Sequence, residues 1–457
     1  MKTGVIKRTS LPTSARFDAS YHLSEGETVK RTINNSPYKL ISVGDAAERI
    51  FYGTRARRVY VSKKDHGVPF LSSSDILLSD LSNVKYVSKK HTPSIDDMKL
   101  QKGWVLISRS GTVGNCAYTN EKYAQRLASE DIIRLVPNNI LRGGFVYAYL
   151  ASKYGYSLLT QGTFGAVIQH IEPNNVAGIP IPVFPDDFQA KVDDLIQESS
   201  RLREEAADLL EKAKNMVEEF ISEKFVKHYY KCQTISFNNV LNSLRHRLDP
   251  PALINDGVSS MDNVISKHNT RKISEIDCKV YRPGIFKRCY VQNGIPYIKG
   301  SEIFMTNPFL RCDYLSKTKT PFVDEMKLKE GQILITCAGS VGETKYITKE
   351  YEKKKSIGSQ DIIRLESTDN HFTREYLFAY LQQKFVFDYI QSMKYGSVIE
   401  RIEPFHVESI PVVEPTKDLS ETVTKIIQQY SDCTYKAFVS EETAISLVEK
   451  AIESWEK

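Results

Sequence analysis

Two short stretches of this 457-residue chain hold side chains that could do covalent chemistry. Asp249-Pro250-Pro251 opens like the loop with which amine methyltransferases grip a flipped base. That loop needs an aromatic fourth residue to stack on the base, and here Ala252 stands there, so the segment reads as a turn. Pro185-Asp186-Asp187-Phe188-Gln189-Ala190-Lys191 approaches the acidic pair plus lysine with which nucleases hold a metal and place water. Gln189 occupies the position of the second acid, and both aspartates fit a helix start, where the dipole favours negative charge. No GxxxxGK[ST] loop, no glycine-rich cofactor turn after a strand and no HExxH pair occurs. The seven cysteines (Cys116, Cys232, Cys278, Cys289, Cys312, Cys337, Cys433) contain no CxxC pair, which argues for reduced thiols rather than zinc or disulfides.

What remains are cations and short polar residues near glycines. Arg55, Arg57, Arg58, Lys63 and Lys64 form one cluster. Ser108, Arg109, Ser110 and Thr112 make a small polar turn around Gly111, and Gln161, Thr163 and Phe164 precede Gly165. Further along come Arg282, Lys287, Arg288, Lys299, Ser301, Thr336, Ser340, Lys394 and Tyr395, with Gly339 and Gly396. Arginine can fork onto guanine edges or phosphate oxygens, and short hydroxyls let a backbone come close to a polyanion. Any one of these cations equally well solvates a surface, and Lys353, Lys354 and Lys355 read as loop solvation. Gly111-Thr112-Val113-Gly114 also matches the GxxG of an RNA-clamping loop, but it follows a strand instead of lying between helices. A formal charge of +6 permits a polyanionic partner without requiring one.

These residues recur because the chain is written twice. GWVLISRSGTVG (103–114) returns as GQILITCAGSVG (331–342), SEDIIRL (129–135) as SQDIIRL (359–365), and FGAVIQHIEP (164–173) as YGSVIERIEP (395–404). Arg16-Phe17-Asp18 is answered by Arg247-Leu248-Asp249. All pairs lie about 230 positions apart, a period long enough for whole domains rather than solenoid units. The copies agree in framework and differ in loops: 54–66 and 285–293 share little beyond Arg58/Arg288 and Tyr60/Tyr290.

Within each copy, 104–108 and 332–336 read as strands ending at glycine turns, with 115–119 and 344–348 as hairpin partners and DIIRL as a buried strand. Residues 144–159 and 375–391 have helical spacing. Proline-rich exits follow, IPIPVFP (179–185) and IPVVEP (410–415). Behind them the pattern turns heptad-like: Val192, Leu195, Ser199, Leu202, Ala206, Leu209, Ala213, Met216 and Phe220, then Val423, Ile427, Tyr430, Thr434, Ala437, Glu441, Ala444, Val448, Ala451 and Trp455. Helices of ~40 residues span roughly 60 Å and must cover their apolar stripes, most simply on each other.

This doubled order of strand, glycine turn, DIIRL strand, helix, GxxIxxIxP, proline exit and long helix resembles the specificity subunits of type I restriction–modification systems. The departure lies at the exits, where the glutamine-rich helix start is only approximated by Asp186-Asp187-Phe188-Gln189 and weaker still at Glu414-Pro415-Thr416-Lys417. The resemblance implies an α+β fold. Two tandem mixed α/β target-recognition domains (1–185 and 231–415) would be joined by long spacer helices (186–230 and 416–457) packed as an antiparallel coiled coil with pseudo-twofold symmetry. It implies that each domain reads one half of a split target in double-stranded DNA. The helices would dock two methyltransferase subunits that supply S-adenosylmethionine, and a motor-nuclease subunit would add cleavage. The chain itself would hold no cofactor or metal and be non-catalytic. The alternatives are a self-contained restriction or modification enzyme, against which the missing motifs count, and a coiled-coil scaffold that binds no DNA. With no apolar signal-peptide core and no run of about 18 apolar residues, a soluble cytoplasmic protein is expected.

Overall fold

The computed structural model describes residues 24–55, 57–62, 64–161, 170–221, 236–242, 247–249, 252 and 255–456. The chain forms two compact units, Met1–Glu204 with Lys436–Lys457 and Glu205–Tyr435. Each unit therefore takes in part of both long helices.

Unit 1 is built on two four-stranded sheets. One runs β2 (Ala47–Tyr52), β9 (Ile132–Pro137), β6 (Val105–Ser108), β7 (Cys116–Tyr118), all antiparallel. The other runs β3 (Tyr60–Val61), β5 (Lys85–Ser88), β4 (Gly67–Leu71), β8 (Leu127–Ala128), with β4 and β8 parallel. A ribbon of β1 (Leu40–Ser42) and β10 (Pro180–Pro182) ties the proline exit back to the start of the unit.

Unit 2 repeats this topology: β12 (Cys278–Tyr281), β19 (Ile362–Ser367), β16 (Ile333–Thr336), β17 (Thr344–Tyr346); β13 (Tyr290–Val291), β15 (Asp313–Leu315), β14 (Ile295–Ile298), β18 (Ile357–Gly358); and the ribbon β11 (Thr270–Lys272) with β20 (Pro411–Val413). The register repeats too. Phe51 and Leu106 flank Arg134, as Tyr281 and Leu334 flank Arg364.

The DIIRL strands are central and buried, hence their unbroken apolar runs. Their arginine is the exception. Arg134 and Arg364 are fully buried and donate to main-chain carbonyls, Arg134 to Ala128 and Met98, Arg364 to Gly358, Ile362 and Met326. Each links the central strand of one sheet to the short parallel strand of the other. Burial pulls both guanidinium groups down to about 10.

Each expected helix at 144–159 and 375–391 is two helices, Gly143–Ala151 with Lys153–Gln161 and Arg374–Leu381 with Lys384–Ser392. Ser152 leaves helical geometry at ψ 164° while its hydroxyl caps the Tyr149 carbonyl at 2.6 Å. Gly155 then lets the second helix pack on the first, since a Cβ there would lie 2.2 Å from Tyr149 O.

The long helices span Asp186–Ile221 and Lys417–Glu453. On the first, the buried stripe is Val192, Ile196, Ser199, Ala206, Leu210, Ala213 and Val217. Leu195, Leu209 and Met216 are only half-buried, and their neighbours take the core positions instead. The reason is local: an apolar residue stands at both candidate positions, so a three- or four-residue step fits equally well. Within unit 1 the helices run antiparallel, with Phe184 stacked on Trp455 and Ser199 donating to the Ala437 carbonyl at 2.8 Å. Arg203 and Glu441, both at stripe positions, meet beside Ser199. Arg203 Nη1 lies 3.0 Å from Glu441 Oε1, which also accepts from Tyr147 at 2.6 Å. Burial opposes the Arg203 charge, but Glu441 more than offsets it and leaves the guanidinium raised.

Candidate nucleic-acid interface

Antiparallel pairing brings the loops of unit 1 to one edge. Tyr52 pairs opposite Ile133, Ser108 opposite Ile132 and Ile107 opposite Cys116, while Leu71 runs beside Ala128. The segments 53–59, 72–74, 109–115 and 129–131 therefore leave the sheets together. A bridge from Ser110 to His170 adds the segment before the short helix Pro173–Ala177.

Gly111 and Gly114 shape the turn with φ of +74° and +81°, and Gly339 and Gly342 do the same in unit 2 at +75° and +88°. These left-handed positions hold a side chain only with strain. The hydroxyls inside the turns are spent on it. Ser108 is buried and donates to Ser73 O at 2.9 Å. Thr336 is buried, donates to Ser340 O and accepts from the Glu343 amide at 3.1 Å. Both hydroxyls thus hold their own turns in shape. Thr112 half-shares this role through Ser108 at 3.1 Å.

Most of the expected cations are held by carboxylates. In unit 1, Glu130 takes Arg58, with Arg55 3.8 Å away, and Arg109 reaches Glu172 at 2.5 Å and Asp131 at 3.8 Å. Burial works against the Arg58 charge and Glu130 more than offsets it, so the guanidinium is raised. In unit 2, Arg288 sits 3.6 Å from Asp361 and donates to Tyr297 OH at 2.7 Å; Arg282 sits 3.4 Å from Glu403. Lys299 lies between Asp313 at 2.7 Å and Glu302 at 3.3 Å, and Lys394 pairs with Glu400. Tyr395 donates to Glu403 at 2.6 Å, and its main chain pairs with Arg401 across the tip that carries exposed Val398 and Ile399.

Arg57, Lys64 and Lys287 are exposed, and no acidic partner reaches them among the described residues. Ser301 and Ser340 are exposed as well, and Ser110 is half-buried. Gln161 lies elsewhere: it packs on the helix Glu25–Asn34 and donates to Glu27 at 3.2 Å, so it supports the fold and not the loop edge. Lys63, Thr163 and Phe164 lie outside the described residues.

Sequence reasoning passed over the carboxylates that hold these cations. The signal was present, in Glu130-Asp131 and Asp361 before IIRL and in the glutamate of each IEP, but acids do not advertise themselves near a polyanion site. Asp186, considered for a metal, forms a two-pronged pair with Arg142 at 3.0 Å. Among the described residues no group of three or more His, Cys, Asp or Glu is placed to hold a metal, and no helix is long and apolar enough to cross a membrane.

The family model described as "Type I restriction modification DNA specificity domain" matches residues 38–200 and 266–436, once in each copy. No curated protein is significantly similar to the chain. Among solved structures, the type I restriction–modification S subunit from M. genitalium is 14% identical, covers 92% of this chain and 96% of its own, and superposes with a TM-score of 0.36. The HsdS subunit from Thermoanaerobacter tengcongensis is also 14% identical, over 91% and 96%, with a TM-score of 0.28. The assignment rests on the paired family match, spanning most of both repeats at the strands, turns and exits described above: the chain belongs to the type I restriction modification DNA specificity domain family.

Proposed function

We propose that this chain is the DNA-reading subunit of a type I restriction–modification complex, each unit reading one half of a bipartite duplex target through its loop edge. The observation that carries the reading is the repeated frame. Two units share topology, register and turn glycines, yet present different side chains at the same edge. Arg57 and Lys64 in one, and Lys287 in the other, are cations free to meet phosphate, which positions a protein on DNA without specifying sequence. Arg58 and Arg288, held by Glu130 and Asp361, are fixed in direction, and a fixed fork discriminates base edges better than a mobile one. Docking of two methyltransferase subunits on the long helices, with S-adenosylmethionine bound by them and cleavage added by a motor-nuclease subunit, completes the reading. No catalytic step is assigned to this chain.

The test is methylome sequencing of a host carrying this chain with its modification subunit. A split motif modified in each half, and lost on deleting the chain, is the expected result. An unsplit motif would remove the two-half division, and no chain-dependent methylation would favour the scaffold. Exchanging residues 16–180 for another such domain should change one half only.

A further inference from the structure

At one point of the loop edge the two units reach the same arrangement by different routes. In unit 1, Arg109 follows β6, lies over the Tyr52 ring at 4.9 Å and pairs with Glu172 at 2.5 Å. In unit 2, Cys337 follows β16 and the arginine comes from elsewhere. Arg282, the residue after β12, points Nη1 at Cys337 Sγ at 3.9 Å and pairs with Glu403 at 3.4 Å.

The backbone fixes the correspondence. The Arg109 amide donates to Asp131 O and its carbonyl accepts from Ile171; the Cys337 amide donates to Asp361 O and its carbonyl accepts from Ile402. Tyr52 follows Phe51 opposite Arg134, as Arg282 follows Tyr281 opposite Arg364. So Arg109 corresponds to Cys337 and Tyr52 to Arg282. The arginine has changed strands, and its carboxylate has not. Glu172 and Glu403 each also cap the short helix that follows them.

We infer that each unit has one guanidinium site, filled from either of two backbone positions, and that its occupant is a positioning residue latching the glycine turn to the segment that ends in Glu172 or Glu403. Both occupants are largely enclosed and carboxylate-bound, with about a fifth of the side chain exposed, so neither is a free phosphate ligand. The latch holds the turn where bases are read, and that last step rests on the DNA-reading proposal.

The test uses the full chain. Arg109→Cys should speed amide exchange across 109–114 and weaken binding, through the first half-site alone, by about tenfold, the scale of one lost charge-assisted hydrogen bond. Adding Tyr52→Arg, which copies unit 2, should restore slow exchange and affinity with the same bases read. The reciprocal pair, Arg282→Tyr with Cys337→Arg, should behave alike in unit 2. The duplex used is the motif found by methylome sequencing, with each half scrambled in turn and melting temperature as the folding control. The latch is overturned if the double variants exchange as fast as the single ones, or if affinity returns with altered bases, which would make the guanidinium a reader. Should wild type bind no duplex, the DNA reading falls while the exchange data still decide the latch.

Discussion

The most exacting residues are the two buried arginines of the DIIRL strands. Each is a buried cation held by hydrogen bonds to main-chain carbonyls, and removing it leaves several buried acceptors without donors. Arg134→Met or Arg364→Met should therefore destabilise its unit by about 2 kcal/mol or more, read as a lower denaturant midpoint; an unchanged midpoint would show that the carbonyls find other donors. The unpaired cations behave in the opposite way. Arg57→Gln and Lys287→Gln should leave the melting temperature unchanged, weaken duplex binding for all sequences, and each reduce the slope of log affinity against log salt by about one. A slope equal to wild type would place these side chains off the DNA. At this scale the sequence was only half legible. Arg58 and Arg288 could be matched by type, but the carboxylates that aim them, and the burial of Ser108 and Thr336, depend on contacts from distant segments.

Elements were more legible, because period and punctuation act locally. The strands at 105–108 and 333–336, their hairpin returns and the long helices follow from β-branched runs, turn glycines and heptads. The break at Ser152 was missed because apolar spacing continues across it, and Gly155 was its one local sign. Glu441, an apparent flaw in the heptad, is the partner of Arg203. In the other copy the corresponding positions are Leu210 and Thr434, with Phe378 for Tyr147, so the same packing site carries no charge there. Glu441→Leu alone should cost about 3 kcal/mol or more by stranding Arg203, whereas Tyr147→Phe, Arg203→Thr and Glu441→Leu together should stay within about 1 kcal/mol of wild type. Equal losses in both variants, measured by denaturant unfolding, would mean that the site cannot repack.

For the whole molecule, the internal repeat carried nearly everything, since two colinear copies announce two similar units before any strand is assigned. What it did not announce is where a compact unit closes. Unit 1 takes Lys436–Lys457 from the far end of the chain, including Ala437, Glu441 and Trp455, while Glu205–Tyr435 is contiguous. Deleting residues 436–457 should expose the amides of unit 1 to rapid exchange and leave those of unit 2 protected. Uniform loss of protection would show that the units do not close separately.

That discontinuity has a bearing on biosynthesis. Domains commonly fold in the order in which they leave the ribosome, N-terminal first. Here the first unit to emerge must wait, its Phe184, Ser199 and Arg203 without their partners Trp455, Ala437 and Glu441, until the whole of the second has been translated and the closing helix arrives. The later-made unit can reach its native state earlier, and the nascent first unit is the natural client for a chaperone.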